Sequence, residues 1–138
     1  ELPKALANYV PYKIVGKTMY ISGQAPVQNG ELIYKGKVGS DVTVEDGIEA
    51  ARLCVTNIIA AVKTGLEGDW GKLDSFVKLT GFVNCQDDFT DQPKIINGAS
   101  DMLVEIFGDQ GRHARVAVGS NALPLGISVE IDAIVQLK

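Results

Sequence analysis

The sequence predicts an α+β fold, a single mixed β-sheet with two helices packed on one face, and three observations predict it. Two stretches carry apolar residues at helical spacing, while six shorter ones are β-rich or alternate like strands. Their order is strands, helix, strand, helix, two strands, and its crossovers put both helices on the same side of one sheet. With 138 residues, 46% of them hydrophobic, the chain has the size of one domain around one core. That domain is expected to span residues 1–138.

Lys13 to Ser22 is β-rich and interrupted by Gly16-Lys17, which suits two short strands joined by a tight turn, the second ending over Ser22-Gly23-Gln24. Pro26 to Gly30 reads as a loop and Glu31 to Lys37 as a short strand returning from it. Thr43, followed three residues later by Asp46, is a variant capping box; Ile48, Ala51, Val55, Ile58 and Val62 then recur at helical spacing as far as Gly65. The Gly-rich stretch from Gly65 to Gly71 reads as a loop whose Trp70 is expected to fold back onto the core. Asp74 to Asn84 is a long strand. Asp91, with Pro93 two places on, opens a second helix with an apolar stripe of Ile95, Ala99, Met102 and Ile106, stopped by Gly108. Ala114 to Gly119 and Ile127 to Leu137 are the last strands. Two helices shield one sheet face only, so part of the other is expected to pack against another subunit.

Composition narrows the function. There is no run of about 18 apolar residues, and Lys4, Asn8, Lys13 and Lys17 interrupt the first twenty positions, so neither a membrane span nor a secretory signal is expected, and a cytoplasmic protein is the plain reading. Cys54 and Cys85 are too sparse for a disulfide framework and lack the CxxC spacing of zinc sites. A lone His113 without HxxxH or HExxH spacing points to no metal. A formal net charge of −4 disfavours nucleic acid as a partner.

In the strand from Ala114, alternation separates Val116 and Val118 from Arg115, Ala117 and Gly119, and sets Arg115 away from the core. In the last strand it sets Glu130 opposite Val129 and Ile131. If these strands form a hairpin about Asn121 to Leu125, Arg115 and Glu130 become neighbours on one polar face. An ordinary surface ion pair would look the same. As a site, the pair has a definite use: an Arg fork holds a planar carboxylate bidentately, and a nearby Glu accepts a proton from water.

Three motifs stand along the chain: Tyr20-Ile21-Ser22-Gly23-Gln24-Ala25-Pro26-Val27, the turn Leu123-Pro124, and Ala114-Arg115 with Glu130 fifteen residues after the arginine in Val129-Glu130-Ile131-Asp132-Ala133. They look like the SGQ-x-P segment, the LP turn and the C-terminal signature of the Rid (YjgF-type) reactive-intermediate deaminase family, which nearly the whole chain resembles. The resemblance implies a chorismate-mutase-like fold in a homotrimer with pockets between subunits. It implies that Arg115 grips a substrate carboxylate and Glu130 positions and activates water, while Asn97, Ser22 and Gly23 line the pocket and Tyr9 closes that of the neighbouring subunit. Ala117 stands where many members carry cysteine or another polar residue, and His113 where proline is common, so the pocket floor is altered.

The reaction implied is hydrolysis of 2-imino acids to 2-keto acids and ammonia, with no cofactor. Read on residues alone, Asn97 serves equally as a polar helix-face residue, Ser22 as a turn residue and Tyr9 as an aromatic anchor of the terminus. Two other functions fit the same residues: a binding or sensing protein for a keto acid or another small carboxylate, and, against the charge balance, an endoribonuclease. A chorismate-mutase-like rearrangement lacks the several cationic groups it would need.

Overall fold

The structure, a computed structural model, describes Lys4 and residues 7–138. β1 (Tyr12–Val15) and β2 (Thr18–Gln24) turn through Gly16, whose φ of 61° suits glycine, as the sequence predicts. The segment before the first helix differs from the expected loop and strand: it forms a small separate hairpin, β3 (Val27–Gln28) with β4 (Glu31–Leu32). Asn29 and Gly30, both at positive φ, close that hairpin in the manner of an Asn-Gly turn.

α1 (Val44–Gly65) begins where its cap predicts, the Thr43 hydroxyl accepting from the Asp46 backbone N–H at 3.1 Å. Its buried side includes Ala51, Val55, Ile58 and Val62, so the apolar periodicity found the core-facing stripe. Trp70, in the 3₁₀ turn Trp70–Lys72, stacks obliquely on Phe107 with ring centroids 5.3 Å apart. β5 (Leu73–Asn84) follows, then α2 (Gln92–Phe107) with proline in its first turn and Gly108 beyond its end. The stripe of α2 is rotated from the expected one: Ile95, Ile96, Ala99 and Leu103 are buried, and Ile106 is exposed. β6 (Ala114–Ser120) and β7 (Val129–Leu137) complete the chain.

The main sheet has the order β1-β2-β7-β5-β6 and is mixed, with β5 and β6 parallel and the remaining neighbours antiparallel. α1 lies against β2 and β7, and α2 against β5 and β6, which puts both helices over one face as predicted. On that face Met19, Leu79, Val83, Ile131 and Val135 are fully buried. The opposite face has no helix. Along β7 it takes the half-buried positions Glu130, Asp132, Ile134 and Gln136, which alternate with the buried ones.

Two linked expectations are overturned, the pairing of β6 with β7 and the placement of Arg115 away from the core. β6 and β7 do not pair; β5 lies between them, with Arg115 opposite Leu79 and Glu130 opposite Phe82. Leu79 belongs to the helix-covered face and Phe82, three residues on, to the other. Arg115 therefore lies on the helix side and Glu130 on the helix-free side, and the two are not cross-strand neighbours. The edge position of β6 explains the surprise: beside the flank of α2, a long polar side chain can lie on the core side of the sheet and still reach solvent.

Candidate functional site

Arg115 is fastened to one stripe of α2. Its Nη1 donates to Asn97 Oδ1 at 2.7 Å and to Ser100 Oγ at 3.1 Å, and its Nη2 to the Pro93 carbonyl at 3.4 Å. Positions 93, 97 and 100 follow the helical repeat, so all three groups face the same strand. A guanidinium has five N–H donors in a fixed fork. With both Nη1 hydrogens and one on Nη2 committed, Nε–H and the second Nη2 hydrogen remain to meet a planar group. The resemblance brought Asn97 forward as a pocket-lining residue, and the structure sets it beside Arg115; Ser100 was not brought forward, and its place three residues after Asn97 was the available signal.

Ser100 also links Arg115 to His113, whose Nε2 lies 2.8 Å from its hydroxyl. His113 Nδ1 lies 2.6 Å from the Gly111 carbonyl, an acceptor only, so Nδ1 carries a proton. In the neutral ring Nε2 then accepts from Ser100, giving a continuous chain from Arg115 through Ser100 and His113 to Gly111. Ser100, Val104, Arg112, His113 and Arg115 line a cleft of about 260 Å³. Ala117, opposite Gly81, shares the face of Arg115 and is partly buried against the core.

Glu130 is placed by a bulge. β2 pairs with β7 through Ile21↔Ala133 and then Gln24↔Ile131, so two residues of β2, Ser22 and Gly23, lie opposite one of β7. The Glu130 carboxylate occupies the space over Gly23, where a Cβ would stand 2.5 Å from Oε2. Only glycine leaves that space. Burial pushes the Glu130 carboxyl above the usual glutamate range, and the Asp132 carboxylate adds to the rise. Asp132 is raised by burial as well, offset in part by hydrogen bonds from Thr80 and by Lys78. Ser22 faces elsewhere: its hydroxyl donates to the Val10 carbonyl at 2.6 Å and its N–H to the Pro11 carbonyl, tying the segment that carries the half-exposed Tyr9 to the bulge.

The expected site residues thus form two groups. Arg115, Asn97 and Ala117 lie with His113 and Ser100 on the helix side of the edge strand. Glu130 and Gly23 lie on the helix-free face, with Ser22 binding the Tyr9 segment beside them. That face also exposes Val15, Tyr20, Val116 and Val118. Among the described residues no three His, Cys, Asp or Glu side chains are gathered to hold a metal ion, and no helix is long and apolar enough to cross a membrane.

Comparison with known proteins places this architecture. Residues 1–135 match the family model described as YjgF/chorismate mutase-like, "putative endoribonuclease". Protein TCP17 of Trypanosoma cruzi is 41% identical over 142 aligned residues that include all of this chain and 88% of that protein. The crystal structure of Atu1372 from Agrobacterium tumefaciens, described as of unknown function, is 48% identical with a TM-score of 0.94, covering 99% of this chain and 86% of that one. A Shewanella oneidensis crystal structure, described as that of a "putative endoribonuclease", is 38% identical with a TM-score of 0.95, covering 99% and 90%.

Proposed function

We infer that this chain, which belongs to the YjgF/chorismate mutase-like family, hydrolyses 2-imino acids to 2-keto acids and ammonia at sites shared between subunits of a homotrimer. The observation that carries the reading is Arg115. Three hydrogen bonds to α2 hold its guanidinium, and Nε–H with the second Nη2 hydrogen is left for a ligand. That edge fits a carboxylate in two parallel charge-assisted hydrogen bonds. A clamp already held in place loses little entropy when the substrate arrives.

Glu130 supplies the other half. In one chain the two groups point from opposite faces of the sheet, so the carboxylate facing an Arg115-bound substrate comes from a neighbouring copy. The exposed Val15, Tyr20, Val116 and Val118 of the helix-free face give such copies an apolar surface to bury. With the substrate carboxylate on Arg115, the protonated imine carbon is electrophilic, and Glu130 takes a proton from the attacking water as the C–O bond forms. The tetrahedral adduct expels ammonia as the keto group is made. Free imines hydrolyse unaided, so the acceleration required is modest and two charged residues supply it. This chemistry belongs in the cytoplasm, where imines are released by other enzymes.

The test is ammonia and keto-acid release from freshly generated 2-iminopropionate and 2-iminobutyrate, with the chain's mass in solution measured on the same sample. Faster release than in buffer, from a species three chains in mass, supports the reading. Arg115-dependent keto-acid binding without acceleration would make the protein a small-carboxylate sensor instead. Gly23→Ala adds a sharper check. The added Cβ displaces the Glu130 carboxylate, and we expect kcat to fall about tenfold or more while keto-acid affinity holds, since a 1 Å misplacement of a reacting group can cost on the order of 100-fold. Unchanged kcat would remove Glu130 from the reaction.

A further inference from the structure

The cleft beside Arg115 continues beyond what the clamp needs. Past Ser100 it is lined by Arg112, His113 and Val104, and no carboxylate is among its lining residues. In a chain of net charge −4, a concavity holding two guanidiniums attracts a ligand with more than one negative charge. Arg112 is available for it. Its partner is Asp109 at 3.3 Å, with the two side chains 69% and 100% exposed, and such a solvated i,i+3 pair holds weakly. The volume of about 260 Å³ is below the roughly 300–1,000 Å³ of clefts that enclose drug-sized ligands. It is open to solvent and has room only for a small ligand.

We propose that this cleft is a subsite for a second acid group, so that the preferred substrates are 2-imino dicarboxylic acids of four or five carbons. The inference rests on Arg115 as the clamp of the first carboxylate. Arg112 receives the second one. His113 positions the wall between them: its ring is fixed at Gly111 and Ser100, and the one hydroxyl of Ser100 spans the gap from His113 to Arg115. The small volume of the cleft favours a short acid over a long one. Val104 offers an apolar surface to the methylenes that join the two carboxylates.

The binding experiment compares 2-oxoglutarate with 2-oxobutyrate, the keto acids matching a dicarboxylic and a monocarboxylic substrate, and the turnover experiment compares 2-iminoglutarate with 2-iminobutyrate. Arg112 is largely exposed, and an ion pair at such a position is modest in strength, so the wild type is expected to bind 2-oxoglutarate about three- to fivefold more tightly than 2-oxobutyrate. Arg112→Gln should bring the ratio near one, and Arg112→Lys should retain part of it. Arg112 is at the surface, so both variants should fold. Equal affinities in the wild type, no binding of either acid, or a ratio that survives Arg112→Gln would overturn the subsite. Failure of the deaminase reading looks different: an Arg112-dependent preference in binding, with neither imine hydrolysed, would keep the subsite and discard the reaction. Hydrolysis of both imines at equal kcat/KM, with equal binding, would do the reverse.

Discussion

Replacing Arg115 with alanine is expected to lower kcat/KM for 2-iminobutyrate by about 100-fold or more, the worth of a bidentate charge-assisted contact of some 3 kcal/mol. The loss has two sources. The substrate carboxylate forfeits both parallel donors, and Asn97 Oδ1 and Ser100 Oγ lose the guanidinium they now accept from. Arg115→Lys separates charge from geometry. An ammonium restores the charge but offers no planar fork, so about tenfold of the loss should remain. Because Arg115 also ties β6 to α2 by three hydrogen bonds, the alanine variant should melt somewhat lower than wild type while remaining folded at the assay temperature. Steady-state ammonia release, with a melting curve on each variant, checks this, and activity in Arg115→Ala close to wild type would refute the clamp.

Glu130→Gln should cost as much through a different parameter. The amide keeps the shape above Gly23 but accepts no proton from water, and loss of a general base is worth roughly 100- to 10,000-fold. The fall should appear in kcat, with 2-oxobutyrate affinity nearly unchanged. The pH dependence carries a sign of its own. Burial and Asp132 raise the Glu130 carboxyl above the ordinary range, so activity should fall on acidification at a higher pH than a free glutamate would give. Asp132→Asn removes the second cause and should move that limb to lower pH. Stability runs the other way. A raised carboxyl means that the folded state holds its proton more tightly than the unfolded chain, so its favourable contribution is complete below the unfolded pKa and lost as pH rises through the folded one. Glu130→Gln should therefore melt higher than wild type at neutral pH, and the difference should vanish in acid. An inactive variant that is the more stable one marks a residue kept for chemistry.

Much of this was legible from local signals. α1 was, because Thr43 caps it and its apolar period is regular over 22 residues. β1 and β2 were, because Gly16-Lys17 punctuates them. Glu130 was assigned to the correct parity because Val129 and Ile131 flank it on a strand that alternates cleanly. Arg115 was not, and the reason is physical: Val116 and Val118, read as core, are exposed at 42% and 39% on the helix-free face. An exposed apolar face carries the same pattern as a face covered by the protein's own helices. The adjacency of β6 and β7 was inferred from their closeness in sequence, but the long strand β5 occupies the centre of the sheet and pairs with both. The rotation of the α2 stripe has a similar origin, since Ile95 and Ile96 are adjacent apolar residues that fit more than one helical phase, and contact with Gly47 and Gly81 selects the pair. Ser100 had no motif around it and emerged only when the strand carrying Arg115 was laid against the helix.

The central claim is that Arg115 and Glu130 of one site belong to different chains, and mixing two disabled variants tests it most directly. Arg115→Ala and Glu130→Gln are each expected to be inactive as pure oligomers. Co-expressed or refolded together in equal amounts, they assemble at random, and about a quarter of the interfaces in a closed ring join an intact Arg115 to an intact Glu130. The account predicts recovery of about a quarter of wild-type activity per chain. If the mixture stays as inactive as its components while forming mixed oligomers, both residues act from one chain, or not together, and the shared site is wrong.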